Sequence, residues 1–210
     1  MRAPARREQL LDVTTSLVCD EGFHAVSVES VAQRCGITRA VVYQHFGDLQ
    51  ALLEAVIARE MTRALDQVTQ TALGDLTAGD PQELMLESLS TYLRAVHDHP
   101  TTWRLVLMPP EGAPEKLRQV IARGRSTVLE QLTRAVRPAL QGGDDEDADL
   151  TARVLSAISD EYARLVLTDA DRFPPERLLR HARWWLGQAS FGLSSVPGEP
   201  GTGALGERQP

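Results

Sequence analysis

The stretch Ser27-Val28-Glu29-Ser30-Val31-Ala32-Gln33-Arg34-Cys35-Gly36-Ile37-Thr38-Arg39-Ala40-Val41-Val42-Tyr43-Gln44-His45-Phe46 decides how this chain folds. It reads as two short helices joined by a tight turn. Ser27 suits the cap of the first, because its hydroxyl accepts from backbone N–H groups that an opening turn leaves without partners. Glu29 in that turn complements the positive end of the helix dipole. Val28, Val31 and Ala32 fall on one face at helical spacing. Gly36 stands where a left-handed residue stops a helix, and Ile37 is the apolar residue that pins the turn. Thr38 suits the cap of a second helix, Arg39 to His45, from which Val42 and Phe46 face inward together.

That leaves Arg39, Ala40, Val41, Tyr43, Gln44 and His45 largely outward. The set is short, polar or aromatic, and nearly free of acid. A helix laid in a DNA major groove needs such a surface: small residues for close approach, donors for phosphates, an apolar contact for a thymine methyl. On spacing alone an ordinary helical hairpin that happens to carry an Arg and a His fits equally well.

The residues Cys35-Gly36-Ile37-Thr38-Arg39-Ala40-Val41-Val42-Tyr43-Gln44-His45-Phe46, followed by Asp48 and Leu52-Leu53, resemble the DNA-binding segment of the TetR family of bacterial transcriptional regulators. The likeness covers about the first sixty residues and is specific in its Gly, Tyr, His and Phe. It implies a first unit that reads operator DNA. Ala40 and Val41 then lie against bases, Tyr43, His45 and Thr38 anchor phosphates, Arg39 and Gln44 contact either, and Ser27 stands at the same face. Two departures stand out. Leu49 occupies a place where family members often carry a phosphate-binding Lys, and Glu29 one where some carry a base-reading Arg. Both point to fewer charged contacts with DNA.

Charge sharpens that expectation. The chain carries a net −7, whereas affinity for DNA comes from cation–phosphate contacts. Within residues 1 to 50, five arginines (Arg2, Arg6, Arg7, Arg34, Arg39) face six acids (Glu8, Asp12, Asp20, Glu21, Glu29, Asp48), so even this segment is not basic overall. A dimer doubles the patch, and binding is expected to be modest and strongly salt-sensitive.

The 210 residues, 42% of them apolar, suffice for one or two compact units sharing a core. No run of about 18 apolar residues offers to span a membrane. The opening Met1 to Leu10 has no apolar core behind its charges and is not a signal peptide. Cys19 and Cys35 lack CxxC spacing and fit a reducing cytoplasm.

Outward from the central stretch, the periodicity predicts an all-α chain of about nine helices. A first helix runs from about Pro4 to Glu21, with Leu10, Val13 or Thr14, and Leu17 as its buried stripe. Asp48 can cap a long fourth helix, striped by Leu49, Leu52, Leu53, Val56, Ile57, Ala64, Leu65 and Val68 to about Ala72. At 1.5 Å per residue it is roughly 35 Å long, enough to leave the first unit and enter a second. Further helices run from Pro81 to Val96, Thr101 to Leu107, Pro114 to Val136, Leu150 to Leu167 and Pro175 to Ala189. Gln141 to Asp149 reads as a Gly/Asp/Glu loop whose acids also suit the start of the following helix. The domains are expected to be 4–64 for DNA, 65–191 for ligand and dimer, and 192–210 as a disordered tail.

His97-Asp98-His99 invites a metal reading, yet residues at i and i+2 diverge by about 200° on a helix, so they do not converge on one ion. There is no Gly-rich phosphate loop, nucleophile elbow or HExxH. No cofactor and no metal are expected, and the chain is not read as an enzyme. Tyr92, Trp103, Leu107, Met108, Tyr162 and Trp185 line either a ligand cavity or plain core, and Arg104 and Arg123 lie in the same helices. The resemblance implies a pocket there for a small-molecule effector. An inward arginine without an acidic partner favours an anionic ligand, since a buried unpaired charge is costly.

The last two helices carry apolar residues on more of their circumference than one core requires. Leu150, Val154, Ile158, Leu165, Leu178, Trp184 and Trp185 are the expected homodimer interface, a four-helix bundle. The function so implied is a cytoplasmic, homodimeric repressor released from palindromic operator DNA by a small molecule. A protein-binding adapter of the same fold and a small all-α enzyme are the competing readings.

Overall fold

The computed structural model of the chain describes residues 3–71, 76, 79–140 and 145–191. Among them the architecture is nine α-helices and no strand: α1 (Ala3–Glu21), α2 (Val28–Cys35), α3 (Arg39–Phe46), α4 (Leu49–Thr71), α5 (Pro81–Asp98), α6 (Pro100–Leu107), α7 (Glu115–Val136), α8 (Asp145–Thr168) and α9 (Pro175–Phe191). Short 3-10 turns follow α1 at Phe23–Ala25 and α7 at Arg137–Ala139. The tail expected at 192–210 lies outside the described residues.

Local chemistry sets the boundaries. Ser27 caps α2 by accepting from Ser30 N at 3.0 Å, and the Ser30 hydroxyl accepts in return from Ser27 N at 2.9 Å. This reciprocal box satisfies two otherwise orphaned donors. Gly36 ends the helix in the left-handed region at φ 64°, ψ 37°, where a Cβ would be strained. Ile37 N then returns to Ala32 O at 3.0 Å. Asp48 caps α4 by accepting from Ala51 N at 2.7 Å, and Asp80 caps α5 by accepting from Gln82 N at 2.9 Å.

One expectation about α8 needs correcting. The acidic run read as a loop to Asp149 is already helical from Asp145. Asp and Glu residues in an opening turn meet the positive end of the dipole, so the acids continue into the helix instead of preceding it.

Two cores meet along α4. The first gathers Leu10, Leu11, Leu17, Val31, Val42, Leu52 and Val56, and it also takes in Leu105 from α6 and Leu117 from α7. The second gathers Ala64, Leu93, Val96, Trp103, Tyr162, Ala163 and Leu178. Met61 belongs to the first and Ala64 to the second. The boundary expected at 64/65 therefore falls inside one unbroken helix, where its buried stripe passes from one core to the other.

A polar cluster fastens this junction. Glu60, 1% exposed, accepts from the Thr102 hydroxyl of α6 and pairs with Arg59 at 2.7 Å. Arg59 also reaches Asp12 at 2.8 Å and Glu8 at 3.0 Å on α1. A buried carboxylate persists when its lone pairs are filled, and here filling them ties α1, α4 and α6 together.

Candidate functional site

The outer face of the α2–α3 pair is positioned from beneath. Val42 is 1% exposed, and Phe46 packs partly buried against the first core. The Arg7 guanidinium lies 5.0 Å from the centroid of the Phe46 ring, a cation–π contact that fixes the end of α3 to α1. With those residues inward, α3 presents Arg39, Ala40, Tyr43 and Gln44 to solvent, Tyr43 at 51% exposure. Val41 and His45 sit half-buried at its edges.

The caps divide the hydroxyls. The Ser27 hydroxyl is engaged by its own helix. Thr38, at the N-cap of α3, makes no side-chain cap hydrogen bond and is exposed, which leaves its hydroxyl for an outside acceptor.

The electrostatics are quieter than a tally of arginines suggests. Arg34 pairs with Glu21, and Arg39 Nη1 lies 3.7 Å from Glu29 Oε2, with side chains 66% and 77% exposed. Arg7 is over Phe46, and Arg2 lies outside the described residues. The acid at position 29 thus stands beside the arginine that opens α3.

The α4 helix runs from this unit to a cavity of about 200 Å³ walled by α4 to α9. Of the residues singled out in the sequence, Tyr92, Trp103, Leu107 and Tyr162 line it. Trp103 is held there by its indole N–H, which donates to Gln67 Oε1 at 2.8 Å, and its ring meets Tyr92 edge-on at 5.0 Å. Three expectations are corrected. Arg104 is exposed and donates to Leu167 O at 3.2 Å, outside the cavity. Met108 lies past the end of α6 and is 43% exposed. Arg123 points to solvent.

The charged groups among the described lining residues are Arg125 and Asp160, beside the polar Ser88, Gln131, Ser156 and Ser159, and Arg125 Nη2 and Asp160 Oδ2 are 3.4 Å apart. Burial pushes the Asp160 carboxyl up, while Arg125, Arg164 and a hydrogen bond from Tyr92 pull it down. Burial beside that carboxylate also raises Tyr92 and keeps its hydroxyl a donor. The signal for Arg125 was in the sequence: Ile121, Arg125, Val128 and Leu132 follow i, i+4, i+7, i+11, so it stands on the apolar stripe from which Arg123 is displaced.

Of the residues expected at a dimer interface, Leu150, Val154 and Trp184 are exposed at 60%, 45% and 61%. Ile158 and Trp185 line the cavity, and Leu165 packs partly buried on the second core. Leu178 is a correction: at 4% exposure it belongs to the chain's own core. It fills the α9 side of that core and has no surface left for a second copy. Exposed His97 and Asp98 pair at 3.1 Å at the end of α5. No helix among the described residues is long and apolar enough to cross a membrane.

With that geometry in place, comparison with known proteins is informative. Residues 10–56 match the family model described as bacterial regulatory proteins, tetR family. Over 154 residues the chain is 28% identical to an uncharacterized HTH-type transcriptional regulator of Mycobacterium tuberculosis, covering 72% of this chain and 71% of that protein. A TetR-like transcriptional regulator from Rhodococcus sp. RHA1 is similar in structure, with a TM-score of 0.72 at 20% identity over 90% of this chain and 98% of that one. The structure of AibR in complex with isovaleryl coenzyme A and operator DNA has a TM-score of 0.66 at 18% identity, over 86% of this chain and 97% of that one. At these identities the two structural likenesses speak for the fold.

Proposed function

We propose that this chain, whose residues 10–56 match the tetR-family model, is a DNA-binding transcriptional regulator of that family and works as a homodimeric repressor that leaves a palindromic operator when a small molecule fills its cavity. The observation that carries this reading is the course of α4. Its first half holds Leu52, Val56 and Ile57 in the core beneath α3, and its second half places Ala64, Leu65 and Val68 on the cavity wall. A 23-residue helix of roughly 35 Å thus joins the reading face to the pocket without an intervening loop. That AibR was solved with both a ligand and operator DNA supports the same division of labour.

At the DNA, Ala40 and Val41 approach base edges, and Thr38, Tyr43 and His45 hold phosphates. Arg39 exchanges Glu29 for a base or phosphate, and Gln44 reads beside it. Ser27 contributes by fixing the start of α2. Two copies assemble through Leu150, Val154 and Trp184 on α8 and α9, because large apolar side chains this exposed are a surface in want of cover. In a two-fold interface the same patch serves both partners.

The test is a gel shift of the full chain on the intergenic DNA beside its own gene, across a salt series. Specific, salt-sensitive retention is expected. Absence of a shift at low salt would favour the protein-binding adapter. Light scattering on Val154→Asp and Trp184→Asp checks the assembly: both should give monomers that lose operator binding, and a monomeric wild type at micromolar concentration overturns the dimer.

A further inference from the structure

The cavity's charge balance states what kind of molecule it takes. Arg125 and Asp160 are the charged groups among its described lining residues, and they pair with each other at 3.4 Å. Behind them, Arg164 lies 3.8 Å from Asp160 and 3.4 Å from Glu161. At the wall itself Arg125 and Asp160 therefore offset each other, while Arg164 and the exposed Glu161 stand behind without lining the cavity. Tyr92 stands on the same wall. No buried side-chain nitrogen or oxygen among the described residues lacks a partner.

An anion entering here would meet Asp160, and a cation would meet Arg125 and Arg164. Either would shed its hydration without finding an unpaired counter-charge, which is costly. Because burial is the stronger influence on the Asp160 carboxyl, a guest that covers it further must also supply a hydrogen bond. The remaining wall is mostly apolar, with Met61, Leu89, Trp103, Ile121, Val128 and Leu186. The volume of about 200 Å³ exceeds the roughly 150 Å³ of an engineered apolar cavity that admits benzene.

Resting on the regulator reading above, we propose that the effector is an uncharged, mostly apolar molecule of one to two rings or equivalent bulk, with a hydroxyl or carbonyl set against the Arg125–Asp160 pair. The pair selects against charge and orients the guest's polar end, while α4 senses its bulk through Leu65 and Val68.

Calorimetric titration of the full chain with three naphthalenes, bearing a hydroxymethyl, a carboxylate or an aminomethyl group, tests this near neutral pH. The hydroxymethyl compound should bind at least tenfold more tightly than either charged one. Asp160→Asn leaves positive charge in excess and should shift preference toward the carboxylate about tenfold. Arg125→Gln should shift it toward the aminomethyl compound, and since misfolding would weaken all three together, opposite shifts identify charge balance. A charged naphthalene binding wild type as tightly as the neutral one, or no saturable binding of any, overturns the proposal. Operator binding measured on the same preparation without probe keeps the two readings apart: its loss counts against the regulator, and a wrong order of naphthalenes counts against the ligand.

Discussion

The reading face and the cavity wall each carry one arginine beside one carboxylate, at nearly equal distances and in different surroundings. Arg39 and Glu29 are 3.7 Å apart with side chains 66% and 77% exposed, whereas Arg125 and Asp160 are 3.4 Å apart with side chains 48% and 21% exposed. In water such a pair is worth about 0–1 kcal/mol, so Arg39 can leave Glu29 for a phosphate or a guanine at little cost. As burial deepens, losing one partner strands the other in a poorly solvated place. On the proposed function, the same two side-chain types serve as an exchangeable contact at one end of the molecule and as a filter at the other. Glu60, at 1% exposure between them, marks the far limit of the series.

The largest expected effect lies at that limit. Glu60→Ala removes the partner of the Thr102 hydroxyl and leaves Arg59, whose side chain is 12% exposed, with its α1 partners Glu8, Asp12 and Thr15 alone. Breaking a buried pair from one side costs about 3–5 kcal/mol, and urea unfolding should show a loss of that size. A loss below about 1 kcal/mol would mean that the junction behaves like the surface pair. Next comes Arg39→Ala, expected to weaken operator binding by roughly 1–3 kcal/mol at one base position and to relax preference there. A uniform loss across operator variants would instead place Arg39 on phosphate.

At the cavity end, Gly124 lies within α7 and on the cavity wall. A Cβ added there would meet Leu65 Cδ2 at 3.8 Å, an ordinary contact. Gly124→Ala should therefore raise stability by about 0.5–1 kcal/mol in the same urea assay, and destabilisation would mean the wall is tighter than it looks. The smallest effect belongs to Glu29→Gln. Freeing Arg39 and removing a carboxylate from the DNA face should tighten binding by under about 1 kcal/mol. It should also steepen the dependence on salt by up to about one phosphate contact, read by anisotropy over a salt series. Weaker binding would show that Glu29 positions Arg39 for DNA.

These contrasts also explain what the sequence could tell. The caps at Ser27 and Asp48 and the stop at Gly36 were legible because each depends on residues three or four apart. Thr38 was placed correctly at its cap, but the absence of a side-chain bond there depends on backbone detail that the sequence does not carry. The pairing of Arg125 with Asp160 joins α7 to α8 across 35 positions, a separation at which local spacing says nothing. Arg125 itself betrayed its direction by falling on the stripe of Ile121, Val128 and Leu132, yet Arg104 and Arg123 drew attention by lying near aromatic or apolar neighbours in sequence. Leu178 misled for a related reason: an apolar residue on α9 looks the same from the sequence whether its neighbour belongs to its own chain or to a second copy.

The proposed coupling along α4 is tested most directly by the distance between the two DNA-binding units of the proposed dimer. Spin labels at Asp20, exposed on α1 and not among the proposed DNA contacts, with Cys19 and Cys35 replaced, report it by pulsed electron resonance. With operator bound, the distribution should narrow to one fixed separation consistent with recognition helices about 34–36 Å apart. Saturation with the hydroxymethyl naphthalene should move it by a few ångströms as DNA is released. Identical distributions in the free, operator-bound and probe-saturated protein would contradict the account.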